Sequence, residues 1–186
     1  MIRTADLNGV RLAYSDTDAI RWPDVVTHLI LVATSAGPVR VQFPVVDTDA
    51  GLREQFKARW PWFFHGENKH WDLFDSLTFT AGPFNAAFTR ELPKYDLRDD
   101  VIRLETPMLL VVGRLDAYLP HMEWLADHAK HATLCVLNDV GHFPFVEVPD
   151  EFTRTVASFL ESAGRVAGVV DVSRSEASKH ADHRQR

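Results

Sequence analysis

Residues 108–116 have the sequence Met-Leu-Leu-Val-Val-Gly-Arg-Leu-Asp, a continuous apolar run followed by a glycine and an acidic residue. A short apolar run without alternation is typical of a strand buried on both faces of a parallel sheet. Similar runs occur at 29–33 (Leu-Ile-Leu-Val-Ala) and at 134–137 (Leu-Cys-Val-Leu). These three runs predict the strands of one parallel sheet.

Helical segments accompany these strands. Residues 122–131 lie between the last two runs and predict a helix, and a second helix begins at Pro149-Asp150-Glu151. Proline and acidic residues favour the first turn of a helix, because its amide groups have no partner there and its dipole attracts negative charge. At the N-terminus, Asn8-Gly9 separates two short runs, which predicts a β-hairpin. The pattern as a whole predicts an α/β fold with a mostly parallel sheet.

The chain divides into a predicted core, cap and tail. Residues 42–104 are rich in Phe and Trp and lack strand-like runs, so they predict a helical cap inserted between two strands. The aromatic rings either pack the cap's own core or line an apolar ligand pocket. Residues 163–186 contain no Leu, Ile, Phe, Trp or Tyr, which predicts a disordered tail. Residues 1–41 and 105–162 then form the core.

Composition excludes several classes of partner. A net charge of −6 over 186 residues disfavours binding to nucleic acid or to an anionic membrane surface. No apolar stretch approaches the roughly 20 residues that span a bilayer. The single cysteine, Cys135, cannot form an internal disulfide and lies in an apolar run, so it is expected in the core. A cytoplasmic location is the resulting expectation.

Two polar residues follow neighbouring predicted strands. Asp116 comes after the run at 108–112, and His142 comes after the run at 134–137. The carboxyl ends of parallel strands share one edge of a sheet, so the two side chains are expected to meet there. A carboxylate in that position fixes the tautomer of the imidazole and stabilises its protonated form. Taken singly, an aspartate after a strand is often a helix cap, and Gly-His is a common loop pair.

The chain resembles the α/β-hydrolase family, and within it the prolyl-aminopeptidase-like branch, through residues 107–116 and 141–149. Residues 8–14 are similar to the family's opening hairpin, and residues 91–98 to the linker that leaves the helical cap. The resemblance covers most of the chain. It implies a serine hydrolase acting on aminoacyl or acyl substrates, such as a small ester or a short peptide, with Asp116 and His142 as the acid and base of a catalytic triad.

The sequence departs from the family at the nucleophile. The family carries its serine in G-x-S-x-G on a sharp strand-to-helix turn, and that motif does not occur in this chain. The resemblance places residues 19–23 at the end of the nucleophile helix, directly after the opening hairpin. At about 30 residues per strand–helix–strand unit, roughly 60 to 80 residues are missing in between. The resemblance therefore implies an incomplete α/β-hydrolase fold.

Ser35 is the alternative nucleophile. It lies in Ala33-Thr34-Ser35-Ala36-Gly37, follows a predicted strand, and precedes Asp116 and His142 in the family's chain order. An elbow serine should begin a helix, whereas Pro38 and the β-branched residues after it are poor helix formers. Ser35 is therefore either a nucleophile or an ordinary loop serine.

Three functions remain open at this point: a shortened hydrolase that lacks its nucleophile, a non-catalytic module whose cap binds a small molecule or a partner, and an active hydrolase using Ser35. No metal or organic cofactor is predicted, because no set of acidic ligands accompanies His121, His128 and His131, which lie in or beside one predicted helix. Without the missing units, the strand at 29–33 becomes an apolar edge. Such an edge is expected to pair with the opening hairpin, a second copy of the chain or a complementing chain.

Overall fold

The structure is a computed structural model that describes residues 3–7, 10–14, 26–38 and 43–162, the first two ranges by their backbone. In these ranges the strands are β1 (Arg3–Leu7), β2 (Val10–Tyr14), β3 (Leu29–Val32), β4 (Met108–Gly113) and β5 (Ala132–Leu137). The α-helices are α1 (Asp49–Arg59), α2 (Trp71–Ser76), α3 (Ala81–Ala86), α4 (Arg98–Val101), α5 (Leu119–His128), α6 (Pro144–Glu147) and α7 (Pro149–Ser162). A 3-10 turn spans Trp60–Phe63 and a π-helical turn spans Ala87–Glu91.

The main sheet has the order β3-β4-β5, and both pairings are parallel. The predicted parallel sheet is therefore confirmed. β5 begins at Ala132, two residues before the predicted start, because Ala132 and Thr133 continue the ladder opposite Met108 and Leu109. All six residues of β4, the central strand of the three, are buried.

The uninterrupted apolar sequence of β4 follows from the two layers that cover it. Met108, Leu110 and Val112 pack in one cluster with residues of α5, whereas Leu109 and Val111 pack in a second cluster against α7. Full burial of such a side chain stabilises the fold by about 1.5 to 3 kcal/mol. A polar residue on either face would forfeit that gain.

The predicted opening hairpin is also confirmed. β1 and β2 are antiparallel, and Leu7 pairs with Val10. Among the described strands, the hairpin forms a sheet of its own and β3 pairs with β4 alone.

One side of β3 carries backbone groups that point away from β4. The amides of Leu29 and Ala33 donate to the carbonyl oxygens of Pro107 and Val111, both at 2.9 Å. Because alternate residues of a strand direct their N–H and C=O groups to opposite sides, those of Ile30 and Val32 face outward. Within the described part of the chain, β3 is thus an edge strand.

Between β3 and β4, the regular elements in the range 43–104 are all helical, as predicted. Thr48 caps α1, since its Oγ1 accepts the amide of Gly51 at 3.0 Å. Trp60, Phe64 and Phe74 form a buried aromatic cluster, and the indole of Trp60 donates to the carbonyl of Lys69 at 2.7 Å. These three rings pack the core of the cap itself.

One predicted helix is shifted along the chain. The helix predicted at 122–131 is α5, Leu119–His128. It begins earlier because Pro120 occupies its first turn, where a missing amide has no cost, and it ends at Ala129, whose extended backbone leads into β5.

Three sequence predictions fall outside the described residues: the missing units between the hairpin and residue 19, the helix end at 19–23, and the disordered tail at 163–186. In the ranges that are described, no helix has the length and apolar character needed to cross a membrane.

Candidate active site

Asp116 lies three residues beyond the end of β4. Its amide donates to the carbonyl of Gly113 at 3.2 Å, and its Oδ1 accepts the amide of Tyr118 at 3.0 Å. The side chain is only 2% exposed. One carboxylate oxygen therefore caps the turn that leads into α5, and the second remains available.

His142 lies in the loop between β5 and α6, and its Nδ1 is 3.0 Å from Oδ2 of Asp116. The structure thus brings the two sequence-predicted residues together at one edge of the sheet. Because a carboxylate only accepts hydrogen bonds, Nδ1 carries the proton of the neutral ring and Nε2 carries the lone pair. The imidazole is 24% exposed, which leaves one side of it open.

Two glycines allow the loops to approach this closely. A Cβ on Gly113 would lie 2.2 Å from the carbonyl oxygens of both Val140 and Gly141. A Cβ on Gly141 would lie 2.4 Å from the carbonyl oxygen of Phe63 in the cap. Any larger residue would separate the loop that carries His142 from β4 or from the cap.

Glu147 ties the same loop to the cap. Its Oε1 accepts the amide of Gly141 and its Oε2 accepts the amide of His65, both at 2.8 Å. Sequence reasoning assigned no role to Glu147. The residues near Glu147 in the sequence do not indicate this role, because one of its partners lies 82 residues away along the chain.

Aromatic rings surround the imidazole of His142. The ring centroids of Phe63, Tyr118 and Phe143 lie 5.5, 5.4 and 4.9 Å from it. Burial raises the pKa of Tyr118, and the negative charge of Asp116 raises it further. The phenol therefore remains neutral beside the imidazole at ordinary pH.

Ser35 lies in the loop after β3, beside a different histidine. Its Oγ is 3.2 Å from Nδ1 of His121 in α5 and accepts the amide of Gly37 at 3.0 Å. None of the hydrogen bonds among the described residues joins Ser35 to His142. No helix follows it in the described range 34–38.

The other two histidines near α5 have separate partners. Nδ1 of His128 lies 2.7 Å from the carbonyl of Trp124, and Nε2 of His131 lies 2.9 Å from Oε2 of Glu105. Across the described residues, no three His, Cys, Asp or Glu side chains are grouped as metal ligands.

Solved structures with a similar fold include several hydrolases. The enol-lactonase of Burkholderia xenovorans LB400 has a TM-score of 0.65 at 22% identity, over 78% of this chain and 60% of that chain. A thermophilic esterase has a TM-score of 0.62 at 20% identity, over the same two shares. MGS-M2, an α/β-hydrolase from a deep-sea metagenome library, has a TM-score of 0.58 at 19% identity, over 77% of this chain and 59% of that chain. The fold is an incomplete α/β-hydrolase fold.

Relatives found by sequence include ester hydrolases. The chain is 34% identical over 71 residues to the pimeloyl-[acyl-carrier protein] methyl ester esterase of Aeromonas salmonicida, covering 37% of this chain and 28% of that esterase. It is 36% identical over 72 residues to the same esterase of Vibrio parahaemolyticus, covering 38% and 28%. The chain thus matches less than a third of the length of these relatives. No protein-family profile matches it, and its likeness to prolyl aminopeptidases in particular stays a prediction.

Proposed function

We propose that Asp116 and His142 are the acid and the general base of a serine-type ester hydrolase. The observation that carries the proposal is the 3.0 Å contact between Oδ2 and Nδ1 at the carboxyl ends of two adjacent parallel strands. In such a pair, the second imidazole nitrogen takes the proton of an attacking hydroxyl, and the buried carboxylate stabilises the imidazolium that forms. The burial of Asp116 and the open side of His142 suit these two roles.

We propose that this chain lacks the nucleophile of the triad, and that by itself it hydrolyses esters at trace level or not at all. Its sequence contains no G-x-S-x-G. Among the described residues, no serine hydroxyl is hydrogen-bonded to His142, and Ser35 is bonded to His121 instead. Loss of the nucleophile alone removes most of the catalysis that a triad provides.

Acyl esters are the preferred substrate class in this proposal. The rings that contact His142 form an apolar wall, which suits an acyl chain. An aminoacyl substrate carries an ammonium group that requires a carboxylate. Asp116 is bonded to His142, and both oxygens of Glu147 accept backbone amides, so neither of these two carboxylates is available for it. The esterases matched by sequence support the same preference.

The edge of β3 is the proposed docking place for a second chain. Its side chains are apolar and uncharged, and the N–H and C=O groups of Ile30 and Val32 face away from β4. A strand added there would extend the parallel sheet. We propose that either a second copy of this chain or a complementing chain bearing a nucleophile occupies this edge.

The test uses the purified chain with p-nitrophenyl butyrate, with proline p-nitroanilide as the aminoacyl substrate, and with a fluorophosphonate label read by intact mass. The proposal predicts turnover far below about 1 per second on both substrates and no serine adduct. Ordinary turnover together with an adduct, both lost in Ser35→Ala but kept in Ser76→Ala, would make Ser35 the nucleophile and overturn the proposal. Faster turnover of the anilide than of the ester would show that aminoacyl compounds, and not acyl esters, are the preferred substrate class.

A further inference from the structure

A cavity of about 370 Å³ lies between the loop after β3 and the start of α5. Its volume falls within the range of small-ligand sites. The cavity is separate from the Asp116–His142 contact, although the ring of Tyr118 lies against both His121 and His142. Its lining includes three apolar and three polar side chains: Pro38, Pro120 and Trp124, and Ser35, Arg98 and His121.

A hydrogen bond inside the cavity wall joins Ser35 to His121. Ser35 is buried, and its Oγ already accepts the amide of Gly37 at 3.0 Å. Its Oγ lies 3.2 Å from Nδ1 of His121 and 3.3 Å from the carbonyl oxygen of Gly37, and the site proposed below uses the arrangement in which the hydroxyl donates to Nδ1. With Ser35 donating to Nδ1, the neutral ring carries its own hydrogen on Nε2. His121 therefore contributes an N–H donor.

Arg98 is held in place by Asp96, and one of its guanidinium nitrogens is left to bind a ligand. Its Nε donates to Oδ1 of Asp96 at 2.8 Å, and its Nη2 donates to Oδ2. The bond from Arg98 lowers the pKa of Asp96 to about 2, so the pair stays charged at ordinary pH. Gly37 makes room for the arginine, since a Cβ there would lie 3.3 Å from its Cδ. The carboxylate occupies one edge of the guanidinium, and Nη1 has no hydrogen-bond partner among the described residues.

These features specify the chemistry of a ligand. None of the described residues that line the cavity carries a carboxylate. Two donors are therefore available to a ligand, one on His121 and Nη1 of Arg98. The indole of Trp124, stacked on His128 with centroids 4.3 Å apart, and two prolines offer a flat apolar surface. We propose that this cavity binds a small monocarboxylate with an apolar body, its carboxylate on Arg98 and His121 and its body against Trp124. The site goes beyond the proposed hydrolase pair and does not depend on it.

The probe is benzoate, with benzamide as its uncharged counterpart of the same shape. Titration of the full chain with benzoate should quench tryptophan fluorescence to saturation, at concentrations in about the millimolar range expected of so small a ligand. Benzamide should bind at least fivefold more weakly. The quenching should be lost in Trp124→Phe and retained in Trp71→Phe.

Arg98→Gln provides the residue-level test, with Arg53→Gln as the matched control, because Arg53 is likewise paired with an aspartate on the surface. Benzoate binding should weaken at least fivefold in the first variant and stay unchanged in the second. Equal affinity for benzoate and benzamide, absence of saturation, or full binding by a folded Arg98→Gln variant would overturn the proposal. If Arg98→Gln does not fold, the comparison of benzoate with benzamide on the unaltered chain decides.

Discussion

The amide of His142 donates its hydrogen to the carbonyl oxygen of Phe63 at 2.7 Å. The candidate base is therefore anchored to the cap, and its own side chain is bonded to Asp116 at the end of the sheet. A displacement of the cap turn at 60–63 would move the imidazole even if the sheet stayed intact. The geometry of the acid–base pair thus depends on how the cap and the core are joined.

Gly113→Ala should disrupt that junction. The new Cβ would lie 2.2 Å from two backbone carbonyl oxygens, which cannot rotate away, so the loop carrying His142 must shift. We expect a loss of about 2 to 4 kcal/mol in the free energy of unfolding, measured by urea denaturation. Gly66→Ala is the control, because nothing lies within 4 Å of its Cβ position. Equal stability of the two variants would contradict the close approach.

Glu147→Ala should loosen the loop by a different route. It leaves the amide of Gly141, a buried residue, without its acceptor, at an expected cost of about 1 to 3 kcal/mol in unfolding free energy. Glu123→Ala, on the exposed face of α5, should change stability by less than about 0.5 kcal/mol. Amide exchange at Gly141 and His65 should rise in the first variant alone. Unchanged exchange at both amides would count against the bridge.

The strands and the Asp116–His142 contact could be predicted from local sequence because each has a local cause. β4 is covered on both faces, so it has no polar residue to interrupt the run from 108 to 112. Adjacent parallel strands end at a common edge, so residues that follow them meet. The Asn8-Gly9 pair likewise predicted the hairpin because two residues suffice to connect its strands.

The contacts of the cap could not be predicted in this way. Phe63 holds His142 through a backbone carbonyl, a group that every residue has, so its identity gives no signal. Glu147 and His65 are 82 residues apart. The pairing of Ser35 with His121 depends on how the loop after β3 meets α5, which no spacing along the chain specifies.

The phenol of Tyr118 should lose its proton at a higher pH than an ordinary tyrosine does. Burial and the charge of Asp116 both disfavour the phenolate, so its pKa lies above the ordinary value of 10.0. A raised pKa in the folded state means that the stability Tyr118 contributes is fully present below about pH 10 and is lost as the pH rises through the folded value. Absorbance titration of the chain, minus that of Tyr118→Phe, isolates this group.

Asp116→Asn should move the pKa of Tyr118 part of the way back toward 10.0, because the burial remains when the charge is removed. Asp127→Asn, an exposed substitution on α5, should leave it unchanged. A phenol that titrates at or below its ordinary pKa, or one that is insensitive to Asp116→Asn, would contradict the arrangement of these two residues.

The edge of β3 should make the purified chain associate. We expect sedimentation to give a dimer or a larger assembly whose population rises with concentration. Val32→Pro removes an amide that faces away from β4, so it should shift the chain toward monomer while the β3–β4 ladder persists. Val45→Pro, in an exposed loop, should leave association unchanged. A monomer at all concentrations, with the amides of Ile30 and Val32 unprotected from exchange, would refute this.

Asp116 should hold the imidazole of His142 with its hydrogen on Nδ1, which leaves Nε2 free to act as a base. Long-range ¹H–¹⁵N correlation of the neutral imidazole reads the tautomer directly. We expect a protonated Nδ1 and an unprotonated Nε2, and we expect Asp116→Asn to abolish this preference. A ring protonated on Nε2, or a mixture of tautomers that Asp116→Asn does not alter, would contradict this expectation.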